Sequence, residues 1–543
     1  MKKSKWYKFS KSVVLTGLVI IVIVTACGVV KDYNFRNIYY SHNELIHQTS
    51  QLQKLPYLKA HHKDGSVYIF EDKWETDSIY LKGFGTYYDF RRTEVSEKMQ
   101  VVPLDSIALY ETNRKIESNK DKRVQMLSVM TALDVVLGII CLTSPKTCFG
   151  SCPTFYLDDG NPNRLADAES FSNAISPSMV YNDVDDIRYS SLGDKTITFN
   201  MLNEALETHV VKKIDLAIIS KPTAFDVFIS PEEKFYLTSS NHKLINATAS
   251  EGEITNVLEF ADMKERFSLA DKKALVSKEE IFMTFDAQNL QNAGLKLSFR
   301  QTMMTTYALY SAIGYMGNEV ADIFAKLEVS KDNNENLKTL LYNALGGIEI
   351  YSQQNDLTWK YEGELYETGP IAQNHEILLL KHLQNRNGTT KIKLVLNKGL
   401  WRLEQAALLE IVQETKPIYI QPLKVFKNGA EIKSVLTLKE KVDKNQCELS
   451  MPGDEYKLQY SLPEIKNKDY DYQVFLDAKG YYIEWMRASW LKDKDLLALK
   501  SMLENPVKWL NGETSNYKKY EREMEKQFWE SKWTKNNTSY ESL

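Results

Sequence analysis

The first 26 residues combine a positively charged start with an apolar run, and this feature decides where the rest of the chain folds. No acidic residue precedes the run Val13–Val24, whereas basic residues are frequent there. These are Lys2, Lys3, Lys5, Lys8 and Lys11. This is the pattern of a secretory signal peptide. A membrane-spanning helix needs about 20 apolar residues, and the run is shorter, so we expect the remaining chain to fold outside the cytoplasm.

The residues that follow the run, Val24-Thr25-Ala26-Cys27, resemble a lipobox, the cleavage site of bacterial lipoprotein signals, and Gly28 also fits. In such signals the small residues admit the peptidase, and the cysteine thiol accepts a diacylglyceryl group before the chain is cut in front of it. The resemblance implies that residues 1–26 are removed and that lipid on Cys27 holds the protein in the cell envelope, at the outer membrane. Several acyl chains anchor far more firmly than one. The alternative is an uncleaved N-terminal anchor helix.

The charge and size of the mature chain narrow its partners. Removal of residues 1–26 leaves 63 basic against 72 acidic residues, so the formal charge moves from −4 to −9. A mildly acidic chain lacks the basic surface that nucleic acid or anionic lipid requires. Its length and its 43% hydrophobic residues are sufficient for two to four domains. The sequence therefore predicts membrane contact through the lipid, with an envelope protein or a glycan as a further partner, and no cofactor.

Four cysteines remain after Cys27 is assigned. Cys148 and Cys152 flank Phe149-Gly150-Ser151, and an oxidising compartment favours a small-loop disulfide between them. Cys141 and Cys447 can pair or remain buried thiols, and the sequence does not decide between these states. A zinc site is less favoured. Cys141, Cys148 and Cys152 have no histidine near them in the chain, and their spacing is not that of paired C-x2-C motifs. A labile redox disulfide at Cys148 and Cys152 is a third, weaker hypothesis.

Short strand patterns bounded by turn residues dominate the mature chain. They predict a mainly β fold with some α structure: several antiparallel modules, including a small sheet or barrel and a jelly-roll-like sandwich, with an apolar helix and C-terminal amphipathic helices. The expected organisation is a tether at 27–55, a small antiparallel β module at 56–112, an apolar helix region at 113–146, β-rich sandwich modules with an inserted helix at 147–415, and a β module with two C-terminal helices at 416–543.

Several local features are specific enough to be compared with the structure. Gly83-Phe84-Gly85 is typical of a turn between strands, and Asn428-Gly429 of a tight hairpin. Apolar periodicity predicts helices over Thr302–Leu327, Tyr482–Leu503 and Tyr517–Trp533, with tryptophans packing the last two. The tryptophans concerned are Trp485, Trp490, Trp509, Trp529 and Trp533.

The apolar stretch Val124–Leu142 is long enough to span a bilayer. Asp134 lies at its middle, where a charge is costly in lipid. A packed apolar helix is therefore favoured over a true span, and both remain open.

The sequence contains none of the common catalytic fingerprints: no Gly-x-Ser-x-Gly, His-Glu-x-x-His, phosphate-binding loop or dinucleotide motif. His61 and His62 would point to opposite faces of a strand. The acidic run 182–186 favours a solvated loop over a Ca²⁺ site, because the glycine and closing glutamate of an EF-hand are missing. The favoured function is a non-catalytic binding or structural module. The alternative is an envelope hydrolase with a carboxylate pair, for which no two residues stand out, so catalytic residues are unknown.

Aromatic residues are frequent, with 31 Tyr, 9 Trp and 21 Phe. Exposed tyrosine and tryptophan in an exported protein are compatible with sugar or peptide binding. Packing within β-sheets is the favoured interpretation.

Four blocks of the sequence resemble an uncharacterised family of bacterial envelope lipoproteins that is frequent in the Bacteroidota. They are Ser144–Tyr156 with its Cys-Phe-Gly-Ser-Cys-Pro core, Asn203–His209, Glu367–Ala372 and Gly480–Arg487. Their order implies one continuous multidomain protein. The resemblance implies no known activity, so it assigns no functional residue.

Overall fold

The structure, a computed structural model, describes most of the chain beyond the signal region. The described residues are 33–39, 41–50, 55, 57–62, 67–88, 94–116, 153–158, 166–175, 179–188, 195–203, 207–262, 264–287, 292–320, 323, 342–367, 369–384, 387–438, 447–450, 454–465, 467–484 and 493–532. The chain divides into two compact units. Unit 1 draws on 1–143, 316–321 and 485–494, and unit 2 on 144–315, 322–484 and 495–543.

The predicted fold class is confirmed. The protein is mainly β, with several antiparallel sheets, a small closed five-stranded barrel and a few helices. The helices are α1 (His42–Thr49), α2 (Thr255–Leu258), α3 (Met304–Met316), α4 (Leu496–Glu504) and α5 (Pro506–Lys532), and short 3-10 turns occur at Leu104–Ser106, Gly317–Glu319 and Val435–Thr437.

Unit 1 contains one six-stranded antiparallel sheet, sheet I, in the order β1-β6-β2-β3-β4-β5. Its strands are β1 (Tyr33–Tyr39), β2 (Tyr57–His62), β3 (Val67–Thr76), β4 (Tyr80–Tyr88), β5 (Glu94–Pro103) and β6 (Ile107–Ile116). Leu45 of α1 packs into the core with Leu58, Phe70 and Tyr110. Both β1 and α1 lie within 27–55, the range expected to be a tether.

Gly83 and Gly85 lie inside β4, so the prediction of a turn there is wrong. The neighbouring strand β3 has an irregular register between Phe70 and Trp74, which brings its backbone close to β4. A Cβ at Gly83 would lie 2.7 Å from the Lys73 carbonyl oxygen, and one at Gly85 would overlap the Ile69 carbonyl. These glycines therefore allow close backbone approach within a strand, which is a known role of glycine in sheets.

Unit 2 contains two sheets that involve both the middle and the C-terminal part of the chain. Sheet II has the order β26-β25-β28-β10-β7-β8, and sheet III the order β24-β11-β29-β9 with β27 beside β11. The strands of sheet II are β7 (Thr154–Leu157), β8 (Ala168–Glu169), β10 (Thr196–Leu202), β25 (Lys424–Lys427), β26 (Ala430–Ile432) and β28 (Glu455–Ser461). Those of sheet III are β9 (Tyr181–Ile187), β11 (Glu207–Pro222), β24 (Ile418–Ile420), β27 (Glu448–Ser450) and β29 (Tyr470–Glu484). The hairpin turn at Asn428-Gly429 is confirmed, because both residues have positive φ, as such turns need.

The remaining strands of unit 2 form a closed barrel and sheet IV. The barrel closes because β13 pairs with both β12 and β23, while β21 and β18 complete the circle. Its strands are β12 (Asp226–Ile229), β13 (Phe235–His242), β18 (Ala293–Gln301), β21 (Asn374–Leu380) and β23 (Trp401–Thr415), with β16 (Arg266–Phe267) attached to β23. Sheet IV has the order β15-β14-β17-β22-β19-β20. Its strands are β14 (Leu244–Ala249), β15 (Gly252–Glu253), β17 (Lys278–Asp286), β19 (Ile348–Gln353), β20 (Trp359–Leu365) and β22 (Thr389–Asn397).

The outer face of the barrel and the inner face of sheet IV share one hydrophobic core. Leu295 and Leu297 of β18 belong to the same buried cluster as Ile281 and Met283 of β17. Residues of α3 and α5, among them Met304, complete this cluster. Burial of apolar surface at about 25 cal/mol per Å² makes this shared core the main stabilising feature of unit 2.

The helices differ from their predicted bounds. Helix α3 covers Met304–Met316 of the predicted Thr302–Leu327 segment and is interrupted at Gly317, whose φ is +54°. Val320 and Ile323 are again helical, and the other residues from 321 to 327 lie outside the described residues. Tyr482 lies in β29, so the prediction of a helix from this residue is wrong, and α4 begins at Leu496 after the Asp495 N-cap. Among the five tryptophans expected to pack the C-terminal helices, Trp509 is buried as predicted. The side chains of the other four lie outside the described part.

A buried ion pair fastens α5 to the barrel. The Arg402 Nη2 atom lies 2.5 Å from Glu525 Oε2, and the Met303 amide donates to Glu525 Oε1 at 2.7 Å. On the neighbouring strand the Arg300 guanidinium donates two hydrogen bonds to Glu265, at 2.6 and 2.8 Å. Removal of one partner from such a pair leaves a buried charge without compensation.

We expect Arg402→Met to lower the free energy of unfolding by about 3–5 kcal/mol, the usual cost of breaking a buried pair. Urea unfolding monitored by tryptophan fluorescence measures this loss. Lys234→Met serves as control, because it removes an exposed pair with Glu414, and exposed pairs contribute little. Equal shifts of the urea midpoint in the two variants would contradict the structural role of Arg402.

Candidate functional site

Most of the cysteines that the sequence analysis singled out lie outside the described residues. This applies to Cys27, Cys141, Cys148 and Cys152. Cys447 lies directly before β27 and is half-buried. Lipidation of Cys27 and the disulfide between Cys148 and Cys152 therefore stay predictions.

Among the described residues, no group of three or more His, Cys, Asp or Glu side chains is arranged to hold a metal ion. None of the helices described there has both the length and the apolar character of a membrane span. The apolar stretch 124–142 lies outside the described residues.

The acidic run 182–186 forms part of β9 and is buried, so the interpretation as a solvated loop is wrong. Asp183 accepts hydrogen bonds from the Phe171 amide and from the Tyr181 hydroxyl, and Asp186 accepts one from Gln473 at 2.5 Å. Burial raises the pKa of Asp183 and of Asp186 to about 6. These carboxyl groups hold neighbouring backbone and side chains in place.

Several carboxyl groups of this region also interact through their charges. Burial, and then the charges of Asp183, Glu367 and Glu169, raise the pKa of Asp185 well above its ordinary value. Glu169 Oε2 accepts hydrogen bonds from the amides of Ile371 and Ala372, at 2.6 and 3.2 Å. These groups fix loop backbone, and their geometry does not single out an acid and a nucleophile for glycoside hydrolysis.

A second cluster of polar side chains lies inside the barrel. Lys296 and Ser298 alternate with Leu295 and Leu297 along β18, so they point to the opposite, interior face. The Lys296 amine donates to Ser298 Oγ and, at 2.7 Å, to Gln405 Oε1. The Ser298 hydroxyl lies 2.8 Å from His375 Nδ1.

Arg188 fixes which ring nitrogen of His375 accepts hydrogen bonds. Its guanidinium can only donate, and it lies 3.0 Å from His375 Nδ1, so that nitrogen is the acceptor. Burial lowers the pKa of His375 well below its ordinary value and that of Lys296 to about 7. Serine beside histidine and a neutral lysine is chemistry found in hydrolases. Here all three side chains are buried on strand interiors, where they form a polar layer of the core.

The exposed face of sheet IV carries four aromatic side chains around one lysine. We call this group, Phe282, Tyr351, Trp359, Tyr361 and Lys393, the aromatic platform. Strand alternation creates it, because neighbouring residues in the same strands are buried on the other face. These inward residues include Ile281, Met283, Ile350, Ile392 and Leu394.

The strand register places most of the platform in one row across the sheet. Phe282 pairs with Lys393, Lys393 pairs with Tyr351, and Tyr351 pairs with Tyr361. The Tyr351 and Tyr361 ring centroids are 5.4 Å apart. Trp359 belongs to the next row, yet its ring centroid lies 5.8 Å from that of Phe282. Lys393 contacts one ring of each pair, so the platform extends across four neighbouring strands.

Charged groups border the rings. Lys393 Nζ lies 5.1 Å from the Tyr351 ring centroid, 5.5 Å from that of Trp359, and 2.8 Å from Glu280 Oε1. The Tyr351 hydroxyl donates to Glu349 Oε2 at 2.6 Å, and this bond raises the pKa of Tyr351 to about 12. At neutral pH the Tyr351 hydroxyl is therefore uncharged, and Lys393, Glu280 and Glu349 place polar groups beside the rings.

The aromatic platform is not apparent from the sequence, where core packing is the favoured interpretation of the aromatic residues. The signal was present in Ile348-Glu349-Ile350-Tyr351, where apolar and polar or aromatic residues alternate. Alternation of this kind places Tyr351 on the face opposite the two isoleucines. What the sequence lacked was the order of the strands.

Comparison with known proteins gives no assignment. No protein family model matches the sequence, and no curated protein is significantly similar to it.

The barrel interior predicts a pH dependence of stability. The folded state lowers the pKa of Lys296 to about 7 from an ordinary 10.5, so between these values the unfolded chain binds a proton that the folded chain does not. Stability therefore rises with pH in this window. Lys296→Met lacks the titrating amine. We therefore expect the free energy of unfolding of wild type to rise relative to that of the variant by about 1.4 kcal/mol per pH unit from pH 7 to 10.

Urea midpoints at one-unit pH intervals measure this change. Lys234→Met serves as control, because Glu414 raises the pKa of this exposed lysine, so no slope is expected below pH 10. Parallel curves for Lys296→Met and wild type would show that Lys296 stays protonated in the barrel.

Proposed function

We propose that this protein is a lipid-anchored component of the bacterial cell envelope that binds a saccharide chain, without catalysis, through the aromatic platform of sheet IV. The observation that carries the proposal is the row of aromatic rings on an exposed sheet face. Phe282 is 38% exposed and Tyr361 49% exposed. Exposed apolar surface of this extent commonly marks a binding site.

The chemistry of the platform fits a pyranose ring. Such a ring has a flat face of C–H groups, which stacks on an aromatic ring, and hydroxyl groups at its edge. Carboxylates such as Glu280 accept hydrogen bonds from hydroxyl groups, and the Lys393 ammonium donates to them. A site of few polar groups beside large apolar surface is the usual composition of a small-ligand site.

The placement in the envelope is supported by the sequence alone. The lysine-rich start, the apolar run and the Val24-Thr25-Ala26-Cys27 site are typical of lipoprotein export. Tethering at Cys27 would position a glycan-binding face where envelope polysaccharides are present. The hydrolase alternative has weaker support, because Asp183, Asp185 and Glu169, which interact through their charges, are buried.

Binding can be measured with immobilised oligosaccharides of defined composition, neutral and amino-sugar, followed by calorimetry on the best binder. We expect Trp359→Ala to weaken binding at least about tenfold, since loss of an aromatic contact at a binding surface commonly costs on the order of 2 kcal/mol. Tyr419→Ala is the matched control, because Tyr419 is an exposed aromatic residue of sheet III. Absence of binding across the panel, or an equal loss in the control, would refute the saccharide site.

Lipid anchoring has a direct test in mass spectrometry of the protein from its own membranes. The expected N-terminal peptide begins at Cys27 and carries acyl chains on the sulfur. Cys27→Ser should block both cleavage of the signal region and the incorporation of a clickable palmitate in metabolic labelling. A peptide that begins at Met1, or an unmodified sulfur at position 27, would refute the anchor.

A further inference from the structure

The outer face of β4 and β5 in sheet I carries a continuous exposed apolar surface. We call Tyr80, Phe84, Met99 and Val101 the β4–β5 stripe. Phe84 pairs directly with Met99 in the sheet, and Val101 pairs with Lys82 on the same face. Phe84, Met99 and Val101 are 53%, 62% and 57% exposed.

The stripe is not a consequence of poor packing within sheet I. The residues between its members, Leu81, Gln100 and Val102, are buried on the opposite face. Sheet I therefore has a complete core on one side and large apolar side chains in water on the other. Antiparallel sheets usually place polar residues on the solvent face, so this exposure calls for a partner.

The position of the stripe in the chain favours a membrane. Five residues separate Cys27 from Tyr33 at the start of β1, and extended chain spans at most about 3.6 Å per residue, or roughly 20 Å. β1 and β5 are the two edges of the six-stranded sheet, about 24 Å apart at about 4.8 Å per strand. The whole of sheet I is therefore confined close to any bilayer that holds Cys27. Such tethering makes a weak surface affinity sufficient, because it raises the effective concentration.

The composition of the stripe also suits a bilayer. The side chains of Phe84, Met99 and Val101 carry no strong hydrogen-bonding groups to desolvate. Tyr80 and Lys82 adjoin them, with Lys82 Nζ 5.6 Å from the Tyr80 ring centroid. Tyrosine and lysine beside apolar residues are characteristic of the membrane–water interface.

We propose that the β4–β5 stripe inserts into the interfacial region of the bilayer that holds the lipid of Cys27, so that sheet I lies against the membrane. This inference rests on the proposed lipid anchor. A second copy pairing along the β5 edge and cover by another segment of the same chain are the competing explanations for the exposed residues.

Met99 is a natural reporter for this arrangement. The acylated mature protein is reconstituted in vesicles of phosphatidylethanolamine and phosphatidylglycerol, exposed to hydroxyl radicals, and the oxidation of Met99 is read by mass spectrometry. The unacylated mature chain with Cys27→Ser, free in buffer, is the reference. We expect Met99 to oxidise at least about fivefold more slowly in the vesicles, whereas Tyr419 of unit 2 oxidises at the same rate in both.

A pair of variants tests whether the stripe itself causes this protection. Val101→Ser in the stripe should restore Met99 oxidation, and Val412→Ser, at a comparably exposed valine of β23, should not. Both positions are on the surface, so both variants should fold.

The outcomes are distinct. Failure of the acylated chain to sediment with vesicles overturns the anchor and the inference with it. Sedimentation with a fully oxidised Met99 overturns the inference alone. Protection that is already present in the unacylated chain also overturns it, and assigns the stripe to a second copy if it vanishes on dilution or to the chain itself if it does not.

Discussion

Closure of the five-stranded barrel is the constraint on which the rest of unit 2 depends. A closed sheet has no free edge, and it needs side chains to fill its interior and a cover for its outside. The interior of this barrel accepts Lys296, Ser298 and His375 as a hydrogen-bonded layer, while Leu295 and Leu297 on the outside provide the surface on which sheet IV packs. Because that packing fixes the inner face of sheet IV, its outer face presents the aromatic platform on a rigid support, as a binding site requires.

Much of the β architecture follows from local sequence, and the errors have physical causes. Short strand patterns correctly predict the mainly β fold class, and Asn428-Gly429 correctly predicts a hairpin. Lys296 and Ser298 of β18 alternate with leucines, a pattern that is also typical of strands with one solvent-exposed face. In the structure both faces are buried, because barrel closure turns the polar face inward. The glycines of β4 were interpreted as a turn because the contact that requires them comes from the neighbouring strand, which the sequence does not reveal.

The candidate sites divide in the same way. The signal at Cys27 is local, so the sequence alone identifies it, and its lipidation remains a prediction. The aromatic platform combines strands that are far apart in the chain: Phe282 and Tyr361 meet only because β17, β22, β19 and β20 are neighbours. The acidic run 182–186 shows the reverse case, since its composition suggests solvent exposure, whereas pairing of β9 with β29 buries it. Where a local pattern fits either a buried or an exposed position, the pairing of strands decides which of the two a residue occupies.

The barrel is not equally strong around its circumference. Strands β12 and β21 join through a single parallel pair, Ile229 with Glu376, whereas the other pairings of the barrel extend over several residues. Burial raises the pKa of Glu376 to about 8, so its carboxyl group is uncharged at neutral pH. An uncharged carboxyl group is easier to keep buried at this narrow junction than a carboxylate. Local opening begins where cooperative contacts are fewest. Amide hydrogens beside this junction should therefore exchange with solvent earlier than those elsewhere in the barrel wall. Mildly alkaline conditions should make this local opening more frequent.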